Sequence, residues 1–329
     1  MAFTSAVPEL PPSPPSPSVI SATGLTKRFG DTAVFSNVTL NIAPGITGLL
    51  GSNGAGKTTL LSMVLGVEKR SGGELSVLGH DPATAGPEVR SRIGYSPEHH
   101  HLPEDVQAAD LVRHLAQLHG LPFQASTERA SDALWLVGLG EERFRPIGTM
   151  STGQRQRVKL AAAIAHDPAL VLLDEPTDGL DPVQRDAMLE LIHRIGNVYG
   201  ISIVMSSHLL EEVERVCDSV VIIADGAVQL SGNLHDMRGA RTGIMVELDA
   251  GHEAVAAELA RAGLVVRVDA QRLHVDIAGP TDDPWFVHDR VRDAVASTGV
   301  GLRRLTDQTL SLEDVFLESS AMPEASVWQ

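Results

Sequence analysis

Gly51-Ser52-Asn53-Gly54-Ala55-Gly56-Lys57-Thr58 has the spacing GxxxxGK(S/T), a loop whose backbone N–H groups turn inward to cradle a phosphate. Its glycines permit that tight turn, Lys57 brings a cation to β- and γ-phosphate oxygens, and the Thr58 hydroxyl is placed for Mg²⁺. Thr59, Leu60 and Leu61 open a helix whose N-terminal dipole favours the same anion. Such a loop has to follow a strand, and the apolar run from Ile46 to Leu50 provides one. These residues predict a site for a nucleoside triphosphate.

The elements that must position this loop alternate along the chain. Apolar runs predict strands at 46–50, 170–173, 201–205 and 220–223, with helical spacing between them, which is an α/β sheet with phosphate chemistry at its strand ends. Ahead of it, strand character begins near Val19 and passes through Leu25-Thr26-Lys27-Arg28-Phe29-Gly30 into the alternating Val34, Val38, Leu40 and Ile42. That is a β-rich, antiparallel entry to a mixed sheet. Between Glu98 and Met150 strand patterns give way to helical ones, as in Ala109, Leu111, Val112, Leu115 and Leu118, and an inserted helical subdomain over about 98–150 is predicted. The nucleotide-binding domain then spans 19–235.

Beyond about Asn233 a new alternation starts: strand 243–248, helix 253–262, strands 264–268 and 273–277, helix 285–296 and strand 302–305. The order β-α-β-β-α-β predicts a small α+β, ferredoxin-like C-terminal domain over 240–318, followed by a tail at 319–329. Proline and serine dominate Pro8 to Ser18, so residues 1–18 are read as a disordered arm with little to bury.

Composition narrows the function classes. A chain of 329 residues that is 43% hydrophobic and 21% charged is long enough for one large domain and a smaller one. Its net charge of −16 argues against binding driven by nucleic acid or by an anionic membrane, both of which repel a polyanion. Cys217 stands alone, so neither an intrachain disulfide nor a cysteine-rich metal site is expected, and it reads as a small buried hydrophobe. No apolar run approaches the ~18 residues of a membrane span, and residues 1–18 lack the charge and apolar core of a secretory signal. The cytoplasm is the expected compartment.

Further segments stand in the order and spacing of the nucleotide-binding subunits of ABC transporters, and the chain resembles that family over about residues 20–230. Met150-Ser151-Thr152-Gly153-Gln154 resembles the signature loop LSGGQ, followed by a helix. In the family this loop caps the nucleotide held by the other protomer. The resemblance thus implies ATP at two composite sites in a head-to-tail homodimer, with Ser151, Thr152, Gly153 and Gln154 facing the partner's γ-phosphate.

Leu170-Val171-Leu172-Leu173-Asp174-Glu175 resembles the Walker B strand and its extension. The resemblance makes Asp174 a Mg²⁺ ligand through water and Glu175 the residue that orients and deprotonates the attacking water. Asp178-Gly179-Leu180-Asp181 resembles the D-loop, which places Asp181 at the dimer contact. His208 resembles the switch histidine that contacts the γ-phosphate, and Phe29 matches the aromatic that stacks on adenine.

Two positions depart from the common pattern. Glu98 stands where a glutamine is usual, so the ligand for Mg²⁺ there is an additional carboxylate that cannot donate a hydrogen bond. Thr152 replaces a signature glycine. Both variants resemble those of ATPases paired with separately encoded export permeases, as does Ser311-Leu312-Glu313-Asp314-Val315-Phe316-Leu317-Glu318 near the C-terminus. His99-His100-His101 reads as loop rather than metal site, and Glu211, Glu212 and Glu214 as a solvated helix face.

The reading that follows is an ATP hydrolase that drives export through a separate transmembrane permease from the cytoplasmic face of the membrane. Two other classes remain to be separated from it: a soluble ABC-type mechanoenzyme acting on nucleic acid or ribosomes, and a regulator that binds ATP without turnover. A single P-loop, no heptad tract and an acidic chain weigh against the former.

Overall fold

A computed structural model describes residues 18–98, 102–239, 241–269, 272–276 and 285–309. The proline-rich arm, the three consecutive histidines and the 311–318 segment lie outside them. The chain divides into two compact units, 1–231 and 232–329.

In the first unit the order is β1 (Ile20–Phe29), β2 (Thr32–Ile42), β3 (Ile46–Leu50), α1 (Lys57–Val64), β4 (Gly72–Val77), α2 (Gly86–Ser91) and β5 (Ile93–Ser96). Then come α3 (Ala108–Leu118), α4 (Phe123–Leu136), α5 (Thr152–Ile164), β6 (Leu170–Leu173), α6 (Pro182–Tyr199), β7 (Ser202–Ser207), α7 (Leu210–Val216), β8 (Ser219–Ala224) and β9 (Ala227–Asn233). The second unit carries α8 (Leu234–Gly239), β10 (Arg241–Leu248), α9 (His252–Arg261), β11 (Val265–Asp269), β12 (Arg272–Asp276), α10 (Phe286–Thr298) and β13 (Leu302–Thr309).

The six-stranded sheet runs β5-β6-β7-β3-β8-β9, with β5, β6, β7, β3 and β8 mutually parallel. Parallel strands are buried on both faces, which explains why these segments are apolar runs without alternation. Successive residues serve opposite cores: Val171 and Leu173 pack with Ile203 and Met205 beneath α5 and α6, while Leu170 and Leu172 pack with Val204, Leu49 and α1. β9 returns through the two-residue turn Asp225-Gly226, both at positive φ (50° and 72°), the geometry that matches strand twist and reverses direction. A second sheet, β2-β1-β4, is antiparallel throughout and closes over the core that holds α1. The mixed sheet and its antiparallel entry are as expected.

Between β5 and β6 the chain is helical. Ala108, Val112 and Ala116 of α3 meet Ala130, Ala133 and Leu134 of α4 and the buried face of α5 in a core continuous with the main sheet. In the second unit an antiparallel sheet in the order β11-β12-β10-β13 covers α9 and α10, with Ile244, Val246, Leu273 and Val275 against Val255, Leu259 and Val291.

Boundaries moved where polar residues extend a buried strand. β7 runs on to Ser206 and Ser207, both fully buried, because their hydroxyls find partners at the site below. Pattern reading also missed β4, β9 and the short helices α2 and α8. Cys217 is only partly buried at the rim of the core.

Candidate nucleotide-binding and catalytic site

Parallel pairing places the C-terminal ends of β5, β6, β7 and β3 along one edge, where Ser96 pairs Leu173 and Leu50 pairs Ser207 in register. Each strand therefore delivers one chemistry-bearing loop to the same side: Gly51 to Thr58 after β3, Glu98 after β5, Asp174 and Glu175 after β6, His208 after β7. No sequence motif specifies that convergence.

The loop after β3 turns through Gly54 (φ 86°) and Gly56 (φ 102°), backbone that only glycine adopts without strain. At Gly56 a Cβ would also lie 2.7 Å from Phe35 Cζ. Gly56 caps α1, whose first residue is Lys57, so the free amides of that helix face the loop. A cleft of about 280 Å³ results, lined by Val34, Ser52, Asn53, Gly54, Gly56, Lys57, Thr58, Thr59, Glu98, Asp174 and Glu175. Ten residues assigned to nucleotide, metal or catalysis from sequence thus share one cleft, and Val34 joins them unanticipated.

Lys57 Nζ donates to Gly51 O at 2.7 Å and lies 3.2 Å from Glu175 Oε1. The other carboxylate oxygen, Glu175 Oε2, is 2.8 Å from His208 Nδ1; a carboxylate accepts, so Nδ1 carries the hydrogen. Glu175 is buried between a cation and an imidazole. Its backbone is left-handed (φ 46°), a strained conformation held by Ser206 Oγ, which accepts from Glu175 N at 2.8 Å and itself donates to Asp174 Oδ1 at 2.7 Å. Ser206 thereby orients both acidic residues at once.

Glu98 is tied in from below. Lys159 of α5, buried, donates to Pro97 O at 2.8 Å and to Glu98 O at 2.9 Å, and burial holds its ammonium below the usual lysine range. The crowding of carboxylates is felt by Tyr95 on β5, whose phenol is pushed up to about 12, first by burial and then by the charges of Asp174 and Glu98. A hydroxyl and two carboxylates in one cleft make an all-oxygen donor set with surplus negative charge, which fits a hard divalent cation such as Mg²⁺.

The signature residues stand elsewhere. Ser151 caps α5: its Oγ accepts from Gln154 N at 3.2 Å while Gln154 Oε1 accepts from Ser151 N at 3.0 Å, a reciprocal cap that aims the helix's N-terminus outward. A Cβ on Gly153 would lie 2.6 Å from Gln184 Oε1 of α6, so the loop is packed against the helix that Asp181 caps through Gln184 N. None of Ser151, Thr152, Gly153, Gln154 or Asp181 lines the P-loop cleft. Phe29, at the end of β1, is 48% exposed, and Lys27 Nζ lies 4.2 Å from its ring centroid, which stiffens the ring through a cation–π contact.

One expectation is corrected. Glu211 is exposed, but Glu212 is not part of a solvated face: it is 3% exposed and accepts from Thr177 Oγ1 at 2.9 Å and Ser207 Oγ at 2.7 Å. Charge-run reasoning fails there because one residue of the run turns inward, onto two hydroxyls and Arg185. Ser206 and Lys159 are polar residues beside the site that sequence reading passed over, and Glu212 is the one it placed on a solvated face. Two serines ending an otherwise apolar strand were the available signal for the first.

Comparison with known proteins bears on the family and the fold. Residues 35–178 match the model of the ABC transporter family. The chain is 30% identical over 317 residues to the Nod factor export ATP-binding protein I of Ralstonia nicotianae, covering 94% of this chain and 96% of that protein. It is 29% identical to the daunorubicin/doxorubicin resistance ATP-binding protein DrrA of Streptomyces peucetius, covering 92% and 93%. A solved ATP-binding subunit of an ABC transporter superposes with a TM-score of 0.60 at 29% identity, covering 68% of this chain and 92% of that one.

The fold and the site define a P-loop ATPase of the ABC type. The chain belongs to the ABC transporter family, as one of its ATP-binding, ATP-hydrolysing subunits, and resembles the export-type members. No helix among the described residues is long and apolar enough to cross a membrane.

Proposed function

We propose that this protein powers export of a substrate through a separately encoded transmembrane permease, working as a homodimer on the cytoplasmic face of the membrane. The observation that carries this reading is Glu175, buried in the P-loop cleft between Lys57 and His208. A carboxylate so placed is a general base within reach of a terminal phosphoryl group.

ATP enters with its adenine on the open face of Phe29 and its phosphates on the amides of 51–58. Thr59, next in α1, adds its hydroxyl at the same edge. Lys57 exchanges Glu175 for phosphate oxygens, which frees Glu175 Oε1 to accept a proton from water while the contact through Oε2 keeps His208 aligned. Thr58, Asp174 and Glu98 would hold Mg²⁺, directly or through water, and the ion when bound would supply positive charge against the phosphate oxygens.

The signature residues and Asp181 have no place in the cleft of their own chain, which supports their acting on the nucleotide of a second copy. Closure of two copies around two ATP molecules, and reopening after hydrolysis, is the mechanical output. We infer that the permease docks in the groove between the helical insertion and the Glu98 loop; the cavity of about 600 Å³ lined in part by Leu102, Glu104, Ile147 and Arg155 beside the insertion supports this. We also assign 19–235 to the ATPase domain and 240–318 to a ferredoxin-like accessory domain; the β-α-β-β-α-β order of the second unit supports this.

The relatives named above are export and resistance proteins, so neither the nucleic-acid mechanoenzyme nor the non-hydrolysing regulator is favoured. The test is steady-state ATPase activity of the wild type against Glu175→Gln. A Mg²⁺-dependent activity that falls by ~10²–10⁴ in the variant is expected. Equal rates remove catalysis from the account. Glu175→Gln with ATP should elute as a dimer, and a nucleotide-loaded variant that stays monomeric removes the composite site.

A further inference from the structure

Glu212 sits in α7, and the carboxylate joins three segments that hold the catalytic groups. Its Oε2 accepts from Thr177 Oγ1 at 2.9 Å, two residues beyond Glu175. The same oxygen accepts from Ser207 Oγ at 2.7 Å, the residue before His208. Its Oε1 lies 3.3 Å from Arg185 Nε in the first turn of α6, directly after the Asp178 to Asp181 loop. Ser207 Oγ in turn accepts from Leu209 N at 3.0 Å, so the backbone on both sides of His208 is fixed through one hydroxyl.

Burying a carboxylate to 3% exposure is expensive; here Oε2 takes both hydroxyl hydrogen bonds, while Oε1 has only the ion-pair contact with Arg185, and the bare need to fill a core does not call for such a group. What this carboxylate does is join the segment after β6, the start of α6 and the end of β7. Glu175 and His208 approach each other at 2.8 Å across that junction.

We propose that Glu212 is a positioning residue for ATP hydrolysis: it sets the separation of Glu175 and His208 and transmits movement of the Asp178–Asp181 loop to the histidine. This rests on the function proposed above. Neither Glu212 nor its partners Thr177, Ser207 and Arg185 line the nucleotide cleft, so its effect belongs to turnover and not to ATP affinity.

The experiment is a double-mutant cycle on the full-length protein, read as kcat and KM for ATP, with Glu212→Gln chosen because it keeps the volume. Glu212→Gln is expected to lower kcat about 10-fold or more while KM changes less than about 2-fold. In a His208→Ala background the same change should add less than about 2-fold, because the group through which Glu212 acts is already gone. Thr177→Val, which removes one of the two hydroxyl donors, should lower kcat in the same direction at constant KM, and carries the test if Glu212→Gln does not fold. An equal factor in both backgrounds, or a parallel rise in KM, reports a structural role and overturns the inference. A wild type whose turnover is absent or indifferent to Glu175→Gln overturns the proposed function itself, and this inference with it.

Discussion

Lys57 Nζ lies 3.2 Å from Glu175 Oε1, so the ammonium of the P-loop and the carboxylate that follows β6 neutralise each other across the cleft. Both are buried, and neither has water enough to replace the other. Under the proposed function a triphosphate competes with Glu175 for Lys57, and its binding releases the carboxylate oxygen.

Removing the negative charge therefore favours nucleotide. Glu175→Gln should bind ATP several-fold more tightly than the wild type, while Lys57→Ala, which leaves Glu175 without its cation, should lose at least about 10-fold in affinity. Titration with a fluorescent ATP analogue reads both. Unchanged affinity in Glu175→Gln means the pair does not gate binding.

Ser206 serves two acidic residues with one hydroxyl. Ser206→Ala leaves Glu175 N without its acceptor and Asp174 Oδ1 without its donor in a buried strand end, so a loss of about 1–3 kcal/mol in urea denaturation is expected. Turnover should fall at saturating ATP as the strained backbone of Glu175 relaxes. A variant as stable and active as the wild type refutes the assignment.

Lys159 bears on Glu98. Lys159→Met keeps the length of the buried stem but strips the donor from Pro97 O and Glu98 O. Faster hydrogen exchange at the Glu98 amide is the expected result, with ATP affinity within about 2-fold because the P-loop is untouched. Protection equal to that of the wild type would show that the ammonium does not hold this segment.

Acid sensitivity is predicted to originate away from the catalytic site. His166 stacks on His119 with ring centroids 3.6 Å apart, and burial, then the neighbouring imidazole, lowers its pKa to about 4. A histidine with a folded-state pKa below the unfolded value is favoured neutral. Its contribution is fully present above the unfolded value of about 6.5 and is lost as pH falls toward 4, on the order of 3 kcal/mol. His166→Gln, which cannot take up the proton but places an amide N–H near the Nε2 position to donate toward Ile93 O, should flatten the pH dependence of the urea midpoint between 6.5 and 4.5. An unaltered slope would place the sensitivity elsewhere.

Much of the site was legible because its chemistry is local in sequence. Eight consecutive residues build the phosphate loop, and Leu170 to Glu175 carry both a buried strand and the acids at its end. Ser206, Lys159 and Glu212 were not legible for the opposite reason: each has partners 31 to 62 residues away, at Glu175, Asp174, Glu98, Pro97 and Thr177, and Glu212 joins one of these to Ser207, only five residues before it. Glu212 illustrates the limit best. One glutamate in a run of three is buried, and nothing in the run itself says which.

By itself the sequence determined that this protein handles a triphosphate, because glycine spacing, a lysine and a strand before them leave the backbone amides few other uses. It also determined the α/β class, through apolar runs too short for helices and too continuous for exposed strands. Only the tertiary structure decided that Glu175 stands between Lys57 and His208, and that Glu212 and Ser206 fasten the loops around it. Those contacts depend on the parallel strand order β5-β6-β7-β3, which aligns four loop ends that lie far apart along the chain.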